Sequence, residues 1–195
     1  VETPNAEKYF DFYIAPFHYF DTEHINHFSK LHHQNLFESY GYNLIENNEK
    51  EMMVSEKQRY PAVFSVFQFV GIFKKPVADF SLINKINKYI ELSGNDNRIE
   101  KINKLYLSQA PVIIWGAGNY TLRMLFETNL GKCNILHFID SDSKKWNHTI
   151  NGKSILCPIS DNLQNNDVII CSALFALEIQ QQLQKLNPNC QLTIL

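Results

Sequence analysis

Gly116-Ala117-Gly118-Asn119-Tyr120 follows the apolar run Val112-Ile113-Ile114-Trp115 and precedes a helical pattern. Glycines at such a junction let backbone N–H groups at a helix start approach a phosphate, because no side chain intervenes. Asp140 closes the next apolar run, 24 positions after Gly116, where a carboxylate would accept hydrogen bonds from a ribose hydroxyl. The third glycine of G-x-G-x-x-G is absent, with Thr121 and Leu122 in that region. Gly116, Gly118, Asn119 and Asp140 are the candidate nucleotide-binding residues. The competing reading of the same residues is a tight strand-to-helix turn with no bound nucleotide.

A second group is Asp21-Thr22-Glu23-His24-Ile25-Asn26-His27-Phe28-Ser29. A carboxylate beside an imidazole can fix its tautomer and raise its basicity, so Glu23 and His24 form a candidate acid–base unit. A helix N-cap loop whose polar groups satisfy orphan N–H donors is the alternative. His24, His27, His32 and His33 do not follow the H-E-x-x-H pattern, and His32 and His33, being adjacent, point in different directions on a helix. No metal site is expected. Tyr9, Phe10, Phe12, Tyr13, Phe17, Tyr19 and Phe20 read as core or interface rather than pocket lining. No basic residues interleave them as a nucleic-acid stacking platform would require.

The elements that must position these groups follow from the pattern. Ser29 can cap a helix that ends at Gly41, a typical C′ residue. Tyr42–Glu46 reads as a short strand, and Gln58–Val70 as a longer one rich in β-branched and aromatic residues. Lys74-Lys75-Pro76 breaks the chain; the apolar periodicity from Val77 to Ser108, interrupted at Gly94-Asn95-Asp96, predicts two helices or one broken helix. After Pro111 strands and helices alternate. Strands at 112–115, 135–139, 167–171 and 191–195 and helices at 121–129 and 174–186 imply a parallel, Rossmann-like sheet.

Composition bounds the function. With a net charge of −2 and a pI near 6.4, the chain offers no clustered basic surface for nucleic acid. No apolar run approaches the roughly 20 residues that cross a bilayer. The four cysteines have no C-x-x-C spacing, so neither a disulfide framework nor structural zinc is expected, and a reducing cytoplasm is the simplest compartment. Residues 1–80 hold 17 of the 25 aromatics, which sets the two halves apart. The chain opens at Val1-Glu2-Thr3-Pro4 without an initiator Met, which reads as entry into the middle of something longer.

At Glu23-His24-Ile25-Asn26-His27-Phe28-Ser29, followed by Leu36 and Gly41-Tyr42, the sequence resembles class I S-adenosylmethionine-dependent methyltransferases. The stretch is similar to their E-H-I-x-x-F-S segment, which follows the fifth sheet strand and leads into a helix and a reversed hairpin. Val1–Asn5 looks like the end of that fifth strand. Residues 77–195 resemble the Rossmann-like domain that follows the catalytic domain in sugar C-methyltransferases, on Trp115-Gly116-Ala117-Gly118, Ile139-Asp140-Ser141-Asp142 with Lys144-Lys145, and Ile155-Leu156-Cys157-Pro158. The family's base lies in a Tyr-His-Glu-His segment; Asp21 and Thr22 depart from it, so only Glu23 and His24 carry over.

The resemblance implies an α/β fold in three parts. These are residues 1–75 as the C-terminal portion of a catalytic domain with a terminal antiparallel hairpin, 76–110 as a helical linker, and 111–195 as a Rossmann-like domain. It implies methyl transfer from S-adenosylmethionine to a small acceptor, a nucleotide-linked sugar, by the full-length parent. The loop that grips S-adenosylmethionine would lie upstream of Val1, so this part is expected to be inactive alone and to hold no cofactor tightly. Self-association is expected through the face its other half would cover. A non-catalytic nucleotide or nucleotide-sugar binding module is the alternative function.

Overall fold

The computed structural model describes residues 1–20, 25–163 and 167–195. The chain forms two compact units, Val1–Asn95 and Asp96–Leu195. The fold is mixed α/β, with an antiparallel three-stranded sheet in the first unit and a mostly parallel six-stranded sheet in the second.

In the first unit β1 (Glu2–Pro4) leads through an aromatic segment to helix α1 (Lys30–Ser39), then β2 (Tyr42–Met53), β3 (Arg59–Phe69) and helix α2 (Phe80–Gly94). The strand order is β1-β3-β2: the last strand sits in the middle, antiparallel to both neighbours, with Glu2 opposite Phe64 and Tyr42 opposite Phe69. β3 takes the central place because it carries the apolar load, with Ala62 and Val63 buried. The short strand expected at 42–46 runs on to Met53. Asn47, Asn48, Glu49 and Lys50 have little strand propensity of their own, and pairing with β3 holds them extended. Lys30 adds an ion pair to Glu49 at 3.0 Å.

Helix α1 begins as expected at Ser29, whose hydroxyl accepts from the His32 N–H at 3.2 Å, and ends at Gly41 in the left-handed region (φ 86°). The Ser29 hydroxyl also donates to Asp79, the cap of α2, at 2.9 Å, so the two helix starts are tied together. Burial pushes the Asp79 carboxyl up, but hydrogen bonds from Ser81, Ser29 and the Leu82 N–H outweigh it and leave the group below its ordinary range.

The expected helical linker at 76–110 is divided between the units. Tyr89 of α2 is fully buried against Tyr9 and Tyr19, which stack at 4.1 Å, with Tyr89 edge-on to both. This three-tyrosine core makes α2 part of the first unit. Burial pushes the Tyr19 phenol far up, and its O–H donates to the Phe12 carbonyl at 2.6 Å.

The second unit contains α3 (Arg98–Ser108), β4 (Val112–Trp115), α4 (Asn119–Glu127), β5 (Ile135–Ile139), β6 (Thr149–Ile150), β7 (Lys153–Leu156), β8 (Asp167–Ile170), α5 (Ala176–Leu186) and β9 (Leu192–Ile194). The sheet order is β6-β7-β5-β4-β8-β9, parallel except for β6. Side chains alternate across β4: Val112 and Ile114 join one core with Ile102, Met124 and Leu125, while Ile113 and Trp115 join another with Ile179 and Leu183. Both sheet faces are therefore covered, α3 and α4 on one and α5 on the other, which is why β4 reads as a continuous apolar run. The β6–β7 hairpin turns at Asn151 and Gly152, both at positive φ (50° and 75°).

Candidate functional site

The candidate residues of the second unit come together at the carboxyl ends of β4 and β5. β4 is the first strand of this sheet, with β5 on one side and β8 on the other, so the chain reverses its direction of winding there. In open α/β sheets that point opens the crevice where ligands sit.

Gly116 has φ 115°, and its N–H donates to the Ile139 carbonyl at 2.8 Å. A Cβ at this position would lie 2.3 Å from the Cys171 carbonyl oxygen, so packing against the end of β8 demands glycine there. Gly118 differs. It has φ −104°, caps α4 without a side-chain hydrogen bond, and a Cβ added to it meets nothing within 4 Å. Only the second glycine faces open space. Asn119 is the first residue of α4, which starts two residues earlier than the periodicity predicts, and it is exposed.

Asp140 lies just past β5, 8% exposed. Its Oδ2 accepts from the Ala117 N–H at 2.8 Å and from Lys145 Nζ at 2.9 Å, and its Oδ1 accepts from the Asp142 N–H at 2.8 Å. Its carbonyl accepts from the Trp146 indole at 2.7 Å. The carboxylate thus fastens the glycine turn to the turn after β5. Beneath them the Thr121 hydroxyl lies 2.8 Å from the Gly116 carbonyl and 2.7 Å from the Cys171 carbonyl. Burial raises the Cys171 thiol to about 11, which keeps it un-ionised.

The glycine turn and Asp140 meet part of what a nucleotide would require. At Gly118 the N-cap residue brings no side chain of its own, and the space beside its Cα is open, as a phosphate would need. The Asp140 carboxylate offers about four lone-pair directions, and three are taken by the chain itself. One hydroxyl can be accepted; a two-pronged grip on a ribose diol requires Lys145 to leave. No motif in the sequence marks Thr121, Lys145 or Trp146 as a site residue. Lys145 arrives through a single tight turn at Ser143–Lys145, capped by Asp142, that apolar periodicity does not register.

Glu23 and His24 lie outside the described residues. Around them in sequence, the Tyr9 hydroxyl is 3.1 Å from His27 Nδ1, and the His27 ring packs edge-on against Phe20. The other histidines go to separate partners: His32 Nδ1 to Ser29 at 2.9 Å, His33 Nδ1 to Ser65 and Nε2 to Thr3, both at 2.8 Å. His33 is 1% exposed, and burial, then the Val1 ammonium and His32, lower its pKa, so it is held neutral.

Residues 108–191 are similar to the family described as C2185-like, N-terminal. No curated protein matches the chain. Among solved structures, the crystal structure of RSP, a Rex-family repressor, is similar over 61% of this chain and 69% of that one, at 17% identity and a TM-score of 0.36. Among the described residues, no helix is long and apolar enough to cross a membrane.

Proposed function

We propose that residues 1–95 are the C-terminal part of an S-adenosylmethionine-dependent methyltransferase domain, and that the second unit holds the nucleotide end of a nucleotide-sugar acceptor. The observation that carries this reading is the strand order β1-β3-β2. The hairpin doubles back so that its second strand pairs with β1, the arrangement that a reversed hairpin after a fifth strand requires. Helix α1 lies between β1 and that hairpin, as the resemblance at Glu23–Ser29 demands.

S-adenosylmethionine supplies the methyl group in such a reaction. In that reaction His24, paired with Glu23 as its carboxylate, would take the proton the acceptor loses as its bond to the methyl forms and the sulfonium S–C bond breaks, while alignment of the reacting atoms would provide most of the rate.

The test is transfer of labelled methyl from S-adenosylmethionine to a panel of nucleotide sugars by the full-length gene product. Turnover that drops strongly in His24→Ala with S-adenosylmethionine affinity kept is the expected result. No methyl transfer to any acceptor overturns the reading.

The crevice at Gly118 and Asp140 favours a second reading, a nucleotide-binding module without chemistry of its own. Calorimetric titration with dinucleotides and nucleotide sugars separates the two. Binding in the absence of methyl transfer supports the second reading, and heat from none of these ligands removes it.

A further inference from the structure

A depression of about 510 Å³ opens on the second unit at the C-terminal end of α4, the opposite end from Gly118. It is lined by Asn103 of α3, Phe126 and Glu127 of α4, Asn129 and Lys132 of the tight turn that follows, and Asn151 at the tip of the β6–β7 hairpin. Its size is that of a small-molecule site. The polar side chains are ordered toward one another. Asn129 Nδ2 donates to Asn103 Oδ1 at 3.0 Å, and Lys132 Nζ donates to Asn129 Oδ1 at 3.1 Å. That row leaves both Asn103 Nδ2 hydrogens, one Asn129 Nδ2 hydrogen and a lone pair on each amide oxygen for a ligand. Asn151 brings a third amide, on an exposed residue held at φ 50°. Beside them Phe126 is 91% exposed, an aromatic ring left in water that the apolar face of a ligand would cover.

We propose that this depression binds a neutral, hydroxyl-rich ligand, a free sugar. The charges select neutrality. Glu127 and Lys132 bring one charge of each sign, and Glu127 is paired with Arg123 at 3.5 Å. The partial negative end of α4 disfavours a phosphate or carboxylate there, and Lys132 already supplies the cation that such an end attracts. The amides select hydroxyls. A primary amide presents a donor and an acceptor side by side, and neighbouring hydroxyls of a sugar each donate and accept, so one amide pairs with a diol through two bonds. The Phe126 ring then packs on the C–H face of the sugar. Gly131 sets the shape: a Cβ there would lie 2.5 Å from the Leu125 carbonyl oxygen, so glycine lets the turn fold against the helix end. This site is separate from the Gly118 crevice and requires no nucleotide there.

Titration of the isotope-labelled chain with glucose, galactose and N-acetylglucosamine, followed by amide chemical shifts, tests the proposal, with glycerol and glucose 6-phosphate as comparators. Expected are saturable shifts at Asn103, Phe126, Asn129 and Asn151 with at least one neutral sugar, and several-fold weaker binding of the phosphate. Asn129→Ala and Phe126→Ala should each weaken that binding about tenfold or more while the remaining spectrum is unchanged. The Phe126 ring is exposed, so its removal leaves the fold intact even if Asn129→Ala does not. Leu107→Ala, an exposed position on α3 outside the depression, should leave binding unchanged. Absence of shifts with every sugar up to about 50 mM, equal shifts with glycerol, tighter binding of the phosphate, or sugar binding indifferent to Phe126→Ala each overturns the proposal.

Discussion

Among its buried polar side chains each unit has one that ties several elements together, His33 in the first and Asp140 in the second, and the two junctions are built oppositely. In the first, neutral His33 sits between the Ser65 and Thr3 hydroxyls, with the Ser65 hydroxyl passing on to Asn47 at 3.2 Å, so the ring joins α1 to β3, β1 and β2. In the second, Asp140 gathers N–H and ammonium donors from the loops at the strand ends. His33 is enclosed within the packing of a sheet and a helix and touches only its own scaffold. Asp140 lies just past the end of β5, and its donors come from turns rather than from the sheet and helix themselves. Burial alone does not mark a site; the kind of element that supplies the partners does.

The contrast can be broken at four places. Gly116→Ala should cost the second unit about 3 kcal/mol or more, since a Cβ meets the Cys171 carbonyl and the backbone is left-handed. Its denaturant midpoint, followed by Trp115 and Trp146 fluorescence, measures this, and an unchanged midpoint would refute the account of that glycine.

His33→Ala should cost the first unit about 2–3 kcal/mol by leaving the buried Ser65 hydroxyl and the half-buried Thr3 hydroxyl each short of a partner and opening a cavity. The pH dependence has a definite sign. With the folded pKa below the unfolded value near 6.5, the neutral ring's contribution is complete above that pH and is lost as pH falls through it, by no more than about 1.4 kcal/mol per pH unit. Urea melts of wild type and His33→Ala between neutral and acid pH should therefore converge.

Asp140→Asn is a milder change, about 1–2 kcal/mol, because an amide keeps one acceptor while Lys145 loses its counter-charge at a partly exposed position. If the crevice binds a nucleotide, the same variant should weaken binding in calorimetry by more than it weakens stability. Gly118→Ala should cost under about 1 kcal/mol, the difference between a good and a poor cap, since no atom opposes the added methyl. A loss as large as that of Gly116→Ala would erase the distinction between the two glycines.

Much of the second unit is legible in its apolar runs, because strands buried on both faces have no polar positions to blur the signal. The β6–β7 hairpin was missed there. Its strands are short and hold Thr149, Lys153 and Ser154, and only Asn151-Gly152, a strong turn pair, announces it. In the first unit β2 past Glu46 could not be read locally, since β3 rather than its own composition makes it a strand. At the site Gly116, Gly118 and Asp140 follow from a spacing rule. The different duties of the two glycines do not, because the Cys171 carbonyl that separates them comes from a strand far along the chain. His33 was legible only as one of several histidines; its hydroxyl partners come from β1 and β3.

The central position of β3 also sets an order of events. The β2–β3 hairpin closes over the short loop between Met53 and Arg59, whereas Glu2 must find Phe64 across more than half of the first unit. Closing the larger loop costs more entropy and is rewarded only once β3 already presents an edge. The hairpin therefore folds first and β1 docks onto it late. Changes within Glu2–Pro4 should accelerate unfolding while leaving the folding rate nearly unchanged.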